Sequence, residues 1–120
     1  MSDSNNPFGE VIYSYSRQQA IRDGVLVDLT PYYSIQQAWK HHFACTSTVW
    51  GIIENCGHIE DLACQLISVA AIAKMREQRA DTDALRFSVN LGGKTHSLKL
   101  HCGPGDTPEP VLTLMLPCED

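Results

Sequence analysis

LRFSVNLGGKTHSLKLHCGPGDTPEPVLTLML, residues 85–116, is the stretch that decides the fold. Leu85, Phe87, Val89 and Leu91 alternate with Arg86, Ser88 and Asn90, the period of two that belongs to a strand with one buried face. Gly92-Gly93 interrupts the alternation as a two-residue hairpin signal. It resumes with Leu98 and Leu100 on one side and Lys99 and His101 on the other. The run CGPGDTPE is a stiff Gly/Pro connection, and Pro110 to Leu116 places Leu112, Leu114 and Leu116 inward. Three antiparallel strands in a meander are expected.

Directly upstream the period is helical. Ile59, Leu62, Ala63, Leu66, Ile67, Ala70, Ala71 and Lys74 recur at i, i+3, i+4 and i+7. Glu60 and Asp61 stand in the first turn and Lys74, Arg76 and Arg79 near the last, as the helix dipole favours. A long central helix over Ile59 to Gln78 is expected to lie across the apolar face of the meander.

Farther out, EVIYSY at residues 10–15 suits a strand, and Ser16 with Gln19 forms a capping-box pattern for a short helix over Arg17 to Asp23. Gly24 ends that helix and Val25 to Asp28 resumes as a strand. This strand-helix-strand unit either extends the meander or forms a small second sheet. Thr30-Pro31 reads as a helix start, with Ile35, Ala38, Trp39 and His42 at helical spacing to about His41. Residues 42–45 read equally as helix end or strand, and Thr46 or Ser47 then caps a helix that Gly57 ends. The expectation is one α+β domain over residues 8–120 after a flexible arm at 1–7.

The composition is that of a folded chain: 120 residues, 43% hydrophobic and 19% charged. The net charge of −5 and the lack of any Lys/Arg run imply a field that repels nucleic acid and anionic membrane and attracts a basic partner. The most apolar stretch, Leu66 to Ala73, is far shorter than the ~20 residues of a membrane span. Five cysteines at no tight spacing, and an opening MSDSNNPFGE without a basic, apolar leader, point to free thiols in a reducing cytoplasm.

PFGEVIYSYSRQQAIRDGVLVDLT (7–30) and CGPGDTPEPVLTLMLPCED (102–120) resemble a family of small proteins of uncharacterised activity encoded on phages, plasmids and integrative elements. What the resemblance implies is a setting: accessory and counter-defence genes, whose small acidic products include inhibitors of CRISPR effectors and restriction enzymes. Such inhibitors occupy basic nucleic-acid-binding surfaces. The family carries no site residues over to this chain.

Among chemical groupings, His41, His42, Cys45, Cys56, His58 and Cys64 are all zinc-capable, but only His42-x-x-Cys45 and Cys56-x-His58 come near knuckle spacing. Small buried hydrophobes are the preferred reading of these cysteines, and no metal or cofactor is expected. No signature marks Cys102 or Cys45 as an activated thiol. In the Gly103–Asp106 loop, Pro104 removes a donor and Asp106 adds a negative charge, which suits a turn rather than a phosphate cradle. Trp39 and Trp50 fall on apolar helix faces, whereas Tyr32 and Tyr33 are candidate contacts. From Gly103 onward Asp106, Glu109, Glu119 and Asp120 meet no Lys or Arg. These four acids and the two tyrosines are the expected partner-binding residues of a non-enzymatic inhibitor that binds a basic surface of a host nucleic-acid-binding complex. The alternative is a small nucleotide-transfer enzyme of ADP-ribosyltransferase-like type using Arg17 and the first strand.

Overall fold

The computed structural model describes residues 16–77 and 84–119. The arm, the strand expected at 10–15 and Asp120 lie outside these residues. In chain order the elements are α1 (Arg17–Arg22), β1 (Leu26–Asp28), α2 (Tyr33–Ala38), β2 (His42–Thr46), α3 (Ser47–Asn55), α4 (Glu60–Glu77), β3 (Ala84–Leu91), β4 (Lys94–Pro104) and β5 (Pro110–Met115). The fold is α+β. The strands form one sheet in the order β1-β2-β5-β4-β3.

The meander forms as the alternation predicts. Gly92 and Gly93 both take positive φ (63° and 85°), which is the type I′ geometry that joins twisted strands without splaying them. That turn pairs Leu91 with Lys94 and brings Phe87 opposite Leu98 and Leu85 opposite Leu100. Pro104 and Pro110 face one another at the ends of β4 and β5, where a missing N–H costs the ladder least.

The upstream strands extend this sheet. β2 runs parallel to β5, with Phe43 beside Leu112 and Cys45 beside Leu114, and β1 adds antiparallel to β2. β5, last in sequence, is therefore the middle strand. One sheet face carries Val27, Phe43, Cys45, Leu85, Phe87, Leu98, Leu100, Leu112 and Leu114, and α2, α3 and α4 supply Ile35, Val49, Ile53, Ala63, Cys64, Ile67 and Ala71 to the same core. Fully burying a side chain such as Ile67 contributes roughly 1.5–3 kcal/mol.

Three expectations need correction. Thr30-Pro31 does not start a helix: α2 begins at Tyr33 after the cap Tyr32. The Thr30 N–H instead donates to Asp28 Oδ1 at 2.9 Å, and its hydroxyl bonds the Phe43 backbone. A local turn bond to Asp28 and a tertiary one to Phe43, thirteen residues on, thus outcompete the helix start. The helix also ends early, because Trp39 is extended (φ −130°, ψ 146°), and the undecided segment at 42–45 is strand, drawn out by pairing on both sides. Finally, α4 turns Ile59 and Leu62 toward solvent, at 71% and 37% exposure. Its contact face is set by Ala63, Cys64, Ile67, Ser68 and Ala71.

The buried polar residues Ser34, Ser68 and Lys99 all have partners, as burial of polar groups demands. Ser34 binds Asp61 through its N–H (3.0 Å) and hydroxyl, fastening α2 to the first turn of α4. Ser68 Oγ accepts from Trp39 Nε1 at 3.0 Å. Lys99 Nζ donates to the Glu119 carbonyl at 2.7 Å. Among the described residues no single helix is long and apolar enough to cross a membrane.

Candidate functional site

The second face of the sheet sets the polar residues Asp28, His42, Thr113, His101 and Lys99 around the buried Ala44 and Met115. α1 lies against β1 and sends Arg17 onto this face. Its Nε donates to His42 Nδ1 (3.2 Å), one terminal nitrogen to Thr113 Oγ1 (2.6 Å) and the other to the Leu112 carbonyl (2.7 Å). With Nδ1 accepting, the His42 proton belongs on Nε2, which stands 3.3 Å from Asp28 Oδ1. The guanidinium is half-buried. Burial draws its pKa below the ordinary arginine value, and the nearby charges of Asp28 and Asp106 oppose that shift.

The loop after β4 is tied to the same place. Asp106 Oδ1 accepts from Arg17 N at 2.7 Å and Oδ2 from Gln18 N at 3.1 Å. α1 is only six residues long and also has its Ser16/Gln19 capping box, so the N–H groups of residues 16–19 are all satisfied, two by its own sequence and two by Asp106, 89 positions from Arg17. Gly105 N donates to the Glu109 carbonyl at 3.3 Å, closing the loop on itself. The result is a braced turn rather than a loose one. Segments 16–30 and 102–119 meet here through Arg17, Gln18, Asp106, Leu112 and Thr113.

The expected partner-binding residues fall in different places. Asp106 is exposed but engaged by α1. Glu119 is engaged too, with Oε1 accepting from the Thr46 hydroxyl (2.9 Å) and Leu116 N (2.8 Å). Glu109 is exposed, and among the described residues its carboxylate has no partner. Asp106 and Glu109 share the braced loop, whereas Glu119 lies at the other end of β5. Tyr32 is half-buried, its ring 6.2 Å from that of Trp50, and burial followed by the charges of Glu60 and Cys64 raises its phenol pKa. Tyr33 is 68% exposed and lines a cleft of about 250 Å³ between α2 and α4 with Gln37, Gln65, Val69 and Ile72.

The residues sequence reasoning missed are Arg17 as a cross-sheet donor, and Asp28, His42 and Thr113 as its neighbours. The alternation Leu112-Thr113-Leu114 was the available signal, since it put Thr113 on the face away from the core. The zinc-capable residues separate: Cys45 and Cys64 are buried in the core, Cys56 closes α3 and His41 is exposed. Among the described residues no three His, Cys, Asp or Glu converge on one point. Burial pushes both core thiols up to about 12, with the neighbouring Cys64 and Glu119 adding at Cys45, and Asp61 and Glu60 at Cys64.

No family model, curated protein or solved structure matches this chain.

Proposed function

We propose that this chain is a non-enzymatic interaction protein of mobile-element type, a counter-defence inhibitor that sets its braced acidic loop against a basic surface of a host nucleic-acid-binding complex. The observation that carries the reading is the loop 105–110. Asp106 clamps it to α1, Gly105 closes it on Glu109, and the Glu109 side chain is exposed with no carboxylate partner among the described residues. A loop already held in one conformation loses little entropy on binding. An unpaired carboxylate on a chain of charge −5 adds steering toward a positive surface. The resemblance at 7–30 and 102–120 supplies the setting, and Asp106 of this loop is one of the residues that join those stretches.

The test is capture from a host lysate followed by competition. Wild-type chain is expected to retain a nucleic-acid-binding complex, to lose it as salt rises, and to compete with nucleic acid for it. Glu109→Lys is expected to weaken capture about tenfold, or ~1.4 kcal/mol, with a flatter salt dependence and an unchanged melting temperature, because its side chain holds nothing in the fold. Capture that is indifferent to Glu109→Lys would remove the loop from the interface. Asp106 is unsuitable for this purpose, since its reversal also uncaps α1.

The nucleotide-transfer alternative turns on Arg17. Its three donor positions face His42, Thr113 and Leu112, which favours a structural role over a ligand contact. Saturating NAD that raised the melting temperature would favour the enzyme instead, as a ligand at a hundred times its Kd adds about 2.7 kcal/mol.

A further inference from the structure

On β4 the register places Leu100, Leu98, His96 and Lys94 on the core face, opposite Leu85, Phe87, Val89 and Leu91 of β3. The file on β3 stays apolar and buried to its end, while that on β4 changes from leucine to two basic side chains as it nears the hairpin. Positions that continue a core file are where charged groups are least often found. α3 does not close over them: its face forms the opposite wall of a cavity of about 420 Å³ that Lys94 and His96 line. Among the described residues no carboxylate lines this cavity, and neither the Lys94 ammonium nor the His96 ring has a hydrogen-bond or ion-pair partner. The chain enters β3 at Ala84, seven residues and about 24 Å from Leu91, so the cavity lies at the end of the strand remote from the 78–83 connection.

A second observation comes from α3 itself. Gly51 stands in the middle of this helix and lines the cavity. Glycine weakens a helix interior, yet neither backbone nor packing requires one here, since its φ is not positive and an added Cβ would meet nothing within 4 Å. What the missing side chain provides is depth to the cavity. Thr48 and Asn55 stand one turn to either side on the same wall. The Asn55 amide spends one N–H on the Gly51 carbonyl at 2.7 Å and keeps a second.

We propose that this cavity binds a small phosphate monoester. Lys94 and His96 hold the phosphate, the Thr48 hydroxyl and the Asn55 amide add neutral donors, and Ile52 and Leu91 receive the apolar body of the ester. Two basic groups with several N–H and O–H donors match a group that carries up to two charges on three free oxygens. The volume falls in the range of small-molecule sites, roughly 300–1,000 Å³.

Phenyl phosphate is the probe, and Cys56, half-buried in the cavity wall, is the reporter. In a Cys102→Ser/Cys118→Ser background Cys45 and Cys64 stay buried, so maleimide reads Cys56. Phenyl phosphate is expected to raise the melting temperature and to slow Cys56 labelling, with inorganic phosphate and benzoate each binding at least tenfold more weakly and phenol not at all. Lys94→Gln and His96→Gln should each weaken binding about tenfold. Gly51→Leu, which fills the cavity without a clash at Cβ, should lose binding with no fall in the melting temperature of the free chain. A wild-type chain that phenyl phosphate neither stabilises nor shields overturns the proposal. Benzoate or phenol binding as tightly as phenyl phosphate overturns the phosphate assignment, and inorganic phosphate doing so overturns the ester. Binding that survives Gly51→Leu removes this cavity as the site, and its loss in Arg17→Met would then assign the phosphate to the polar face of the sheet.

Discussion

Arg17 and the core cysteines show how single residues take their chemistry from surroundings that are remote in sequence. Arg17→Met keeps much of the aliphatic stem but strands His42 Nδ1 and the Leu112 carbonyl beneath it. Losing partners for half-buried polar groups costs about 1–3 kcal/mol, so an unfolding free energy from urea melts lowered by that amount, with α1 frayed, is the expected outcome. Cys45 and Cys64 move from 9.0 to about 12. Their folded-state value is the higher one, so the neutral thiols' contribution is complete below pH 9 and is lost as pH rises from 9 toward 12. Stability should fall there by at most about 2.7 kcal/mol per pH unit, two protons' worth. The same two thiols should resist a disulfide reagent at pH 8 in the folded chain while exposed Cys102 and Cys118 react at once.

At the scale of elements, the β3–β4 turn and the α3–α4 connection are one unit. A Cβ on Gly92 would come 2.0 Å from the Cys56 carbonyl oxygen, a backbone atom, whereas one on Gly93 would meet nothing within 4 Å. Both have positive φ, so both alanine variants carry conformational strain of about 1 kcal/mol. Only Gly92→Ala must also displace the segment after α3. Thermal melts are expected to show Gly92→Ala destabilised by more than ~3 kcal/mol and Gly93→Ala by about 1 kcal/mol. Equal losses would mean that the close approach is easily relieved. From sequence, Gly92-Gly93 was legible as a turn, but the special demand on the first glycine was not, because Cys56 is far from it along the chain.

At the scale of the whole molecule, the parallel pairing of β2 with β5 joins residues 42–45 to residues 111–114. The sheet is complete only when the last strand is inserted between two earlier ones. A chain ending at Thr107 would leave β2 and β4 with open edges and Leu100, Phe43 and Cys45 without Leu112 and Leu114. Loss of the cooperative melt is the expected result, read by circular dichroism. A truncated chain that still melted cooperatively would show that β1, β2 and the helices fold without the central strand.

Periodicity made β3, β4, β5 and α4 readable because each is long enough to repeat its pattern several times, and the Gly and Pro residues between them mark turns by their own backbone limits. The Ser16/Gln19 cap and the burial of Cys45 and Cys64 were likewise legible, since capping is local and free cysteine behaves as a small hydrophobe. Tertiary structure alone decided what depends on distant partners. It drew residues 42–46 into a strand, turned Thr30 from a helix start into a bond with Phe43, and converted Asp106 and Glu119 from free acids into braces. The reason is physical: a hydrogen bond between residues 89 positions apart leaves no period, cap or turn signal in the chain. The residues that make such bonds look in sequence like ordinary surface.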